Sequence, residues 1–515
     1  MRAPRAGRRE WIGLGVLALP CMLYSMDLTV LDLAVPQLSA ELRPTSAQLL
    51  WILDIYGFVL ASLLIPMGTL GDRIGRRRLL LIGAAAFGVA SVFAAFSKRA
   101  EMLIAARAVL GIAGATLAPS TLSLIRNMFL DAEQRTTAIG VWIASYSVGG
   151  SIGPLLGGVL LSHFWWGSVF LVGVPVMLLL LVVGPVLLPE FRAPNAARID
   201  LLSAVLSLTT VLLVIYGIKQ IAQGNNGWAS VVSIGCGLVV GRVFVARQRT
   251  LSDPLIDLQL FRSRAFSAAL MAYSLATFVT FGIYFFIGQY LQLVRGMSPL
   301  QAGLCMLPFF ACFIVGSTLA PMIARRVRAA SLITAGMGVA AIGFFLLSRV
   351  GAGSGLALVV TGSAVFSLGL APVFTLTTDM IVGAAPPERA GAASALSETG
   401  SELGGALGIA LLGSVGTAVY RGAMTHGVPS GISVAAGETA RGTIGGAVSV
   451  ARHLPARVGA ELIGTAREAF TLSFATTAEL SAVVIIVTAI IVTANLRRVH
   501  REDRCDEVAA IRRTA

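Results

Sequence analysis

Apolar runs long enough to cross a lipid bilayer recur along the whole of this 515-residue chain. A span needs about 20 helical residues. In lipid every backbone polar group must find its partner within the protein, so only helices and closed barrels can cross. None of the runs shows the short apolar-polar alternation of a barrel strand. Charged residues are 12% of the chain and hydrophobic residues 56%, whereas a soluble domain carries about a quarter charged residues. The chain reads as an all-α membrane protein that crosses the bilayer many times.

Fourteen spans are expected, centred near residues 22, 59, 88, 115, 148, 178, 210, 238, 279, 311, 338, 369, 405 and 483. Net charge is +14, from 39 Lys+Arg against 25 Asp+Glu. In a soluble chain that excess would suggest nucleic acid. Here the basic residues collect in alternate short loops, as they do when both termini are cytoplasmic, and no nucleic-acid partner is expected. Arg2, Arg5, Arg8 and Arg9 ahead of an apolar run resemble a signal peptide. That run continues past residue 30, carries Asp27 and lacks a small-residue cleavage site, so it is expected to stay as the first helix. Of the five cysteines, Cys21, Cys236, Cys305 and Cys312 fall in spans and Cys505 in the tail, which implies neither a disulfide framework nor a metal site.

An internal repeat divides the chain. Asp131-Ala-Glu-Gln-Arg135 precedes a Gly-rich helix with Gly149-Gly150, and Pro386-Pro-Glu-Arg389 precedes one with Gly404-Gly405, in nearly the same register. The expected domains are an N-terminal six-helix bundle (1–195), two additional linker helices (196–250), a C-terminal six-helix bundle (251–495) and a cytoplasmic tail (496–515). Repeated halves around a midplane site are the plan of alternating-access transporters. The outer loop 421–467 is too long for a plain connector, and its apolar spacing suggests a short helical hairpin.

Ionisable residues inside spans are costly and mark function. Asp27 and Asp32 lie in the first span, Asp54 in the second, Asp379 late in the twelfth, Glu398 and Glu402 in the thirteenth, and Arg107 in the fourth. Glu398 and Glu402 are four residues apart and share a helix face. Arg107 needs a carboxylate, backbone carbonyls or water as partner and can neutralise only one acid. The others must hold protons, or meet a cationic substrate that replaces protons.

Gly68-Thr-Leu-Gly-Asp-Arg-Ile-Gly-Arg-Arg-Arg78 joins the second and third spans. Its glycines permit a tight turn, and Asp72 is placed to pair with a basic group or to cap a helix N-terminus in the other half. Gly149, Gly153 and Gly157 recur every four residues and let a neighbouring helix approach, with Pro154 able to kink the chain. Gly149-Gly-Ser-Ile-Gly153 also fits a hydrolase elbow, but it follows no strand, and no enzymatic activity is expected. An aromatic face attracts an organic cation by about 0.5 to 2 kcal/mol. The candidates are Tyr24, Trp51, Tyr56, Trp142, Tyr146, Tyr284, Phe309, Phe310 and Phe374, with Trp51 and Tyr56 flanking Asp54.

These strings, together with Met26-Asp-Leu-Thr-Val-Leu-Asp-Leu-Ala-Val-Pro36, Trp51-Ile-Leu-Asp-Ile-Tyr-Gly57 and Ser397-Glu-Thr-Gly-Ser-Glu-Leu-Gly404, resemble the major facilitator superfamily, specifically its fourteen-helix drug:proton antiporters of the QacA type. The likeness is nearest to the actinobacterial multidrug pumps. It implies a multi-pass cell-membrane protein, working as a monomer among membrane lipids without cofactor. Such a protein would use the proton motive force to export quaternary ammonium compounds, ethidium, acridines and fluoroquinolones. It carries substrate or proton roles onto Asp27, Asp54, Glu398 and Glu402, with Asp379 a further acid, and coupling or gating roles onto Asp72, Arg73, Arg107, Gly153 and Pro154. Asp32 departs from the pattern, which usually has Asn there. A transporter of another solute, such as a lipid or siderophore, is the alternative.

Overall fold

A computed structural model describes residues 5–514 other than 43, 45, 193–199, 223–226, 252, 253, 255, 257, 352–354, 387–389, 426, 430 and 431. Side chains are described except those of 28, 29, 32, 33, 35, 36, 39, 40, 46, 47, 49, 50, 54, 58, 154, 155, 162, 201, 219, 222, 299 and 496–514. Asp32, Asp54, Pro154, Arg389, His500 and Cys505 thus have side chains outside this set.

All regular structure among the described residues is helical. The first part of the chain forms α1 (Arg8–Leu42), α2 (Ser46–Ile74), α3 (Arg76–Ala95), α4 (Ala100–Met128), α5 (Ala132–His163), α6 (Ser168–Leu171) and α7 (Gly173–Leu187). Two helices follow, α8 (Leu201–Ala222) and α9 (Trp228–Thr250). The later part forms α10 (Arg264–Gln289), α11 (Pro299–Cys305), α12 (Leu307–Ala324), α13 (Ala329–Ser348), α14 (Leu356–Ala384), α15 (Ala390–Met424), α16 (Val434–Gly442), α17 (Ile444–Ala451) and α18 (Ala456–Thr514). Twelve stretches are long and apolar enough to cross a membrane among the described residues, and Leu202–Ile218 is a shorter apolar helix. The protein is a multi-pass membrane protein. Within loop 421–467, α15 runs on to Met424 and α18 begins at Ala456, leaving α16 and α17 between them, where the Tyr420 hydroxyl donates to the Ala440 carbonyl at 3.0 Å.

Small residues decide how the helices meet. A Cβ on Gly149 of α5 would lie 2.1 Å from the Met22 carbonyl oxygen of α1. Correspondingly, Cβ atoms on Gly404 and Gly408 of α15 would lie 2.4 and 2.1 Å from the Ser274 and Phe278 carbonyl oxygens of α10. Real Cβ atoms do not come that close, so glycine is what permits both helix pairs to touch along their backbones. Between the earlier and later parts of the chain, α2 packs on α15 and α5 on α12, while α8 leans on α2 and α15 and carries α9 on its far side.

Candidate functional site

Asp27 of α1, Arg107 of α4, and Glu398 and Glu402 of α15 lie on helices that meet at the seam between the earlier and later parts of the chain. Arg107 of α4 is 1% exposed, and its Nη1 lies 3.3 Å from Asp27 Oδ2 of α1. Its Nη2 donates to the Leu53 carbonyl of α2 at 3.3 Å, and its guanidinium sits 5.1 Å from the Tyr56 ring centroid. Three helices are therefore tied through one buried cation. Arg107 takes its carboxylate from Asp27, so this acid is paired through Oδ2.

Across the seam, the Tyr24 hydroxyl of α1 donates to Glu402 of α15. Glu398, one turn earlier, is buried, and its Oε1 has no hydrogen-bond partner among the described residues. It lies within electrostatic reach of Cys21, Tyr24, Tyr146 and Tyr273. Tyr24 meets Tyr56 and Tyr146 at ring-centroid distances of 6.2 and 5.9 Å, and Tyr273 meets Phe374 at 5.3 Å. Pro20, Cys21, Tyr24, Tyr56 and Tyr146 line a small cavity beside these groups. Aromatic rings from both parts of the chain thus surround two glutamates. Tyr273 escaped the sequence reading, its only signal being a tyrosine midway along an apolar span.

Three expectations change. Asp379 is not in this cluster: it accepts from Arg135 Nε and the Thr136 hydroxyl, each at 2.7 Å, and so ties the end of α14 to the start of α5. Trp51 turns away from the centre and stacks on Tyr216 of α8, centroids 6.5 Å apart. Trp142 packs edge-on to Tyr146, but its indole N–H is taken by the Thr121 hydroxyl at 3.1 Å, a structural tie.

At the end of the molecule where α14 meets α5, Asp72 closes α2 onto α15. It accepts from the backbone N–H groups of Gly391 and Ala392 in the first turn of α15, where the helix dipole favours an anion, and pairs with Arg76 at 2.6 Å. The closeness depends on glycine: a Cβ on Gly68 would lie 2.6 Å from the Gly391 carbonyl oxygen. Gly75 turns the chain between α2 and α3 at φ 111°, a conformation that favours glycine. Arg76 lies over the Phe191 ring, Arg77 donates to the Leu188 carbonyl at 2.9 Å, and Arg77 and Arg78 pair with Glu190 at 3.5 and 3.8 Å. Arg73 is exposed. On the same end Arg325 pairs with Glu133 at 3.5 Å, and a Cβ on Gly140 of α5 would lie 2.5 Å from the Ser317 carbonyl oxygen of α12. Gly153 is buried within α5. This end is closed, by charge, by helix capping and by backbone contact.

Residues 17–409 match the family described as Major Facilitator Superfamily. The chain is 42% identical over 494 residues to the multidrug efflux pump LfrA of Mycolicibacterium smegmatis, covering 96% of this chain and 98% of that one. It is 34% identical over 466 residues to the methyl viologen resistance protein SmvA of Salmonella typhimurium, covering 90% and 94%. Among solved structures, a bacterial homologue of the human lysosomal transporter Spinster aligns over 96% of this chain and 98% of its own with a TM-score of 0.57 at 19% identity, a likeness of fold.

Proposed function

The chain belongs to the major facilitator superfamily, and we propose that it exports lipophilic organic cations from the cell in exchange for protons, by alternating access. The observation that carries this reading is the pair Glu398 and Glu402, held at the seam between the two parts of the chain and ringed by Tyr24, Tyr56, Tyr146 and Tyr273. Glu398 is buried with its Oε1 unmatched by any hydrogen bond among the described residues; a bare carboxylate in that place is expensive, so it holds either a proton or a positive ligand. Aromatic walls select a delocalised cation for that place. Full-length similarity to a multidrug efflux pump and to a methyl viologen resistance protein supports the same substrate class; quaternary ammonium compounds, ethidium and acridines fall within it, while fluoroquinolones, zwitterions at neutral pH, would be exported in addition.

In this mechanism an outward-facing protein takes up protons on Glu398 and Glu402. An inward-facing one exchanges them for the drug cation. Asp27 and Arg107 form the coupling pair: protonation of Asp27 would release Arg107 and loosen the link among α1, α2 and α4. Asp54 is assigned a second acidic position on α2. Each elementary charge carried across exchanges about 2.3 kcal/mol per 100 mV.

The proposed topology counts α1 and α8 with the twelve apolar stretches, for fourteen spans in two bundles, 1–195 and 251–495, joined by α8 and α9. Both termini are placed in the cytoplasm. In support, Ala6 N–H donates to Gln134 Oε1 at 2.7 Å near the start of α5, and Thr493 of α18 bonds Thr334 near the start of α13 at 2.7 Å, while the Arg325–Glu133 pair joins the end of α12 to the start of α5. The closed end is then the cytoplasmic one, with Asp72, Arg135 and Asp379 as its gate.

Export of ethidium, with one charge, and methyl viologen, with two, tests the reading. Cells producing the protein are expected to expel both. Glu402→Gln should keep most ethidium export and lose about tenfold or more for methyl viologen, whose second positive charge would lose its carboxylate; leaving a charge unpaired in a buried site costs about 3–5 kcal/mol, and less where water reaches it. Undiminished methyl viologen export would remove Glu402 from the site. Export of neither cation by the unaltered protein would reject the function.

A further inference from the structure

We propose that the outward face of the α8–α9 pair, around Arg242 and Arg249, binds one anionic phospholipid. Of the candidate spans α9 is the least covered, with 22% of its apolar window buried. Its contacts to the rest of the molecule run chiefly through α8, so most of its surface meets lipid. Leu238, Val239 and Val243 on that surface are 63%, 64% and 51% exposed. Arg242 lies exposed among them. It sits eight residues before the helix end at Thr250, which places it about 12 Å inside that end at 1.5 Å rise per residue.

A charged side chain on a lipid-facing helix at that depth requires an anion or a route to the interface. Neither Arg242 nor Arg249 has an ion pair among the described residues. The arginine between them is already committed: Arg247 Nε lies 2.6 Å from Asp200 Oδ2, and this hydrogen bond holds the Asp200 carboxyl down at about 2. Seven residues apart on a helix, Arg242 and Arg249 fall on nearly the same face. The stem of Arg242 can run along the helix toward the headgroup level while its guanidinium reaches a phosphate, with Arg249 on the other side. Guanidinium groups bind phosphate oxygens in pairs, which makes arginine suited to this ligand.

The surface next to the two arginines suits an acyl chain. Thr210, Leu238, Gly241, Phe244 and Val245 line a groove between α8 and α9. Gly241 keeps it narrow, because a Cβ there would lie only 3.0 Å from the Thr210 methyl. A zwitterionic lipid brings its own cation to the phosphate, whereas an anionic one leaves its phosphate charge free to meet the arginines. Basic pockets between membrane helices recognise anionic headgroups for this reason.

The purified full-length protein can be equilibrated in detergent with phosphatidylglycerol and phosphatidylcholine, and retained lipid read by native mass spectrometry. One saturable phosphatidylglycerol per chain is expected. R242Q/R249Q should need about thirtyfold more phosphatidylglycerol for the same occupancy, the effect of two basic charges at an anionic surface. R242K/R249K, which keeps both charges, should remain closer to the unaltered protein, and R326Q/R328Q, which removes two exposed arginines at the α12–α13 turn, should bind as the unaltered protein does. If the double glutamine variant does not elute as a folded protein, Arg249→Gln alone serves, with about a fivefold loss expected. Equal retention by R242Q/R249Q, an equal loss in R326Q/R328Q, or phosphatidylcholine bound as tightly as phosphatidylglycerol would overturn the proposal.

Discussion

Asp27→Asn is expected to abolish ethidium export while the protein still reaches the membrane. The carboxylate stands 3.3 Å from Arg107, and an asparagine there would keep the shape but remove the charge. Arg107 would be left with the Leu53 carbonyl and the Tyr56 ring face. Breaking one side of a buried pair costs about 3–5 kcal/mol. If that cost falls on the transport cycle, the rate drops by about a hundredfold or more. A fluorescent fusion reports membrane level and an ethidium efflux assay the rate. The double change Asp27→Asn with Arg107→Ala removes the stranded cation, so it should recover thermal stability without recovering export. Normal export by Asp27→Asn would remove the acid from the mechanism.

Gly391→Val is expected to stop export by a different route, leaving substrate binding intact. A Cβ at Gly391 would lie 2.5 Å from Asp72 Oδ1 and 2.6 Å from the Gly68 carbonyl oxygen. The seam between α2 and α15 can then no longer close at the end held by Asp72. Overpacking of this kind costs about 1–3 kcal/mol, which shifts an equilibrium between open and closed forms by roughly 5- to 150-fold. Ethidium should still quench the fluorescence of the purified variant, while export falls at least about fivefold. Export at the unaltered rate would show that closure at Gly391 is not part of the cycle.

Much of this was legible in the chain. The repeated apolar runs foretell a helical membrane protein because lipid permits so few alternatives, and the spacing of Glu398 and Glu402 puts them on one face because a helix has a fixed period. The glycines around Asp72 foretell a tight turn, which Gly75 makes at positive φ. What a period cannot disclose is which neighbour a face meets. Arg107 needed an anion, and only the packing of α4 against α1 selects Asp27 for it. Asp379 looked like one more acid in a span, and only the approach of α5 to α14 supplies Arg135 and Thr136. Trp51 and Tyr56 are five residues apart, so their rings leave α2 in different directions: Tyr56 is buried beside Arg107, while Trp51 reaches α8. The pairing of Tyr24 with Glu402 joins α1 to α15 across most of the chain, and no local pattern marks it.

Proton exchange for a drug cation is the central claim, and ethidium movement in proteoliposomes under an imposed pH gradient tests it most directly. With the lumen acidic and no membrane potential, outward proton flow should drive ethidium into the vesicles, and nigericin should release it. Vesicles at equal pH should not accumulate the dye, nor should vesicles carrying protein with both Glu398→Gln and Glu402→Gln. Accumulation that ignores the pH gradient, or that persists without the two glutamates, would contradict the account.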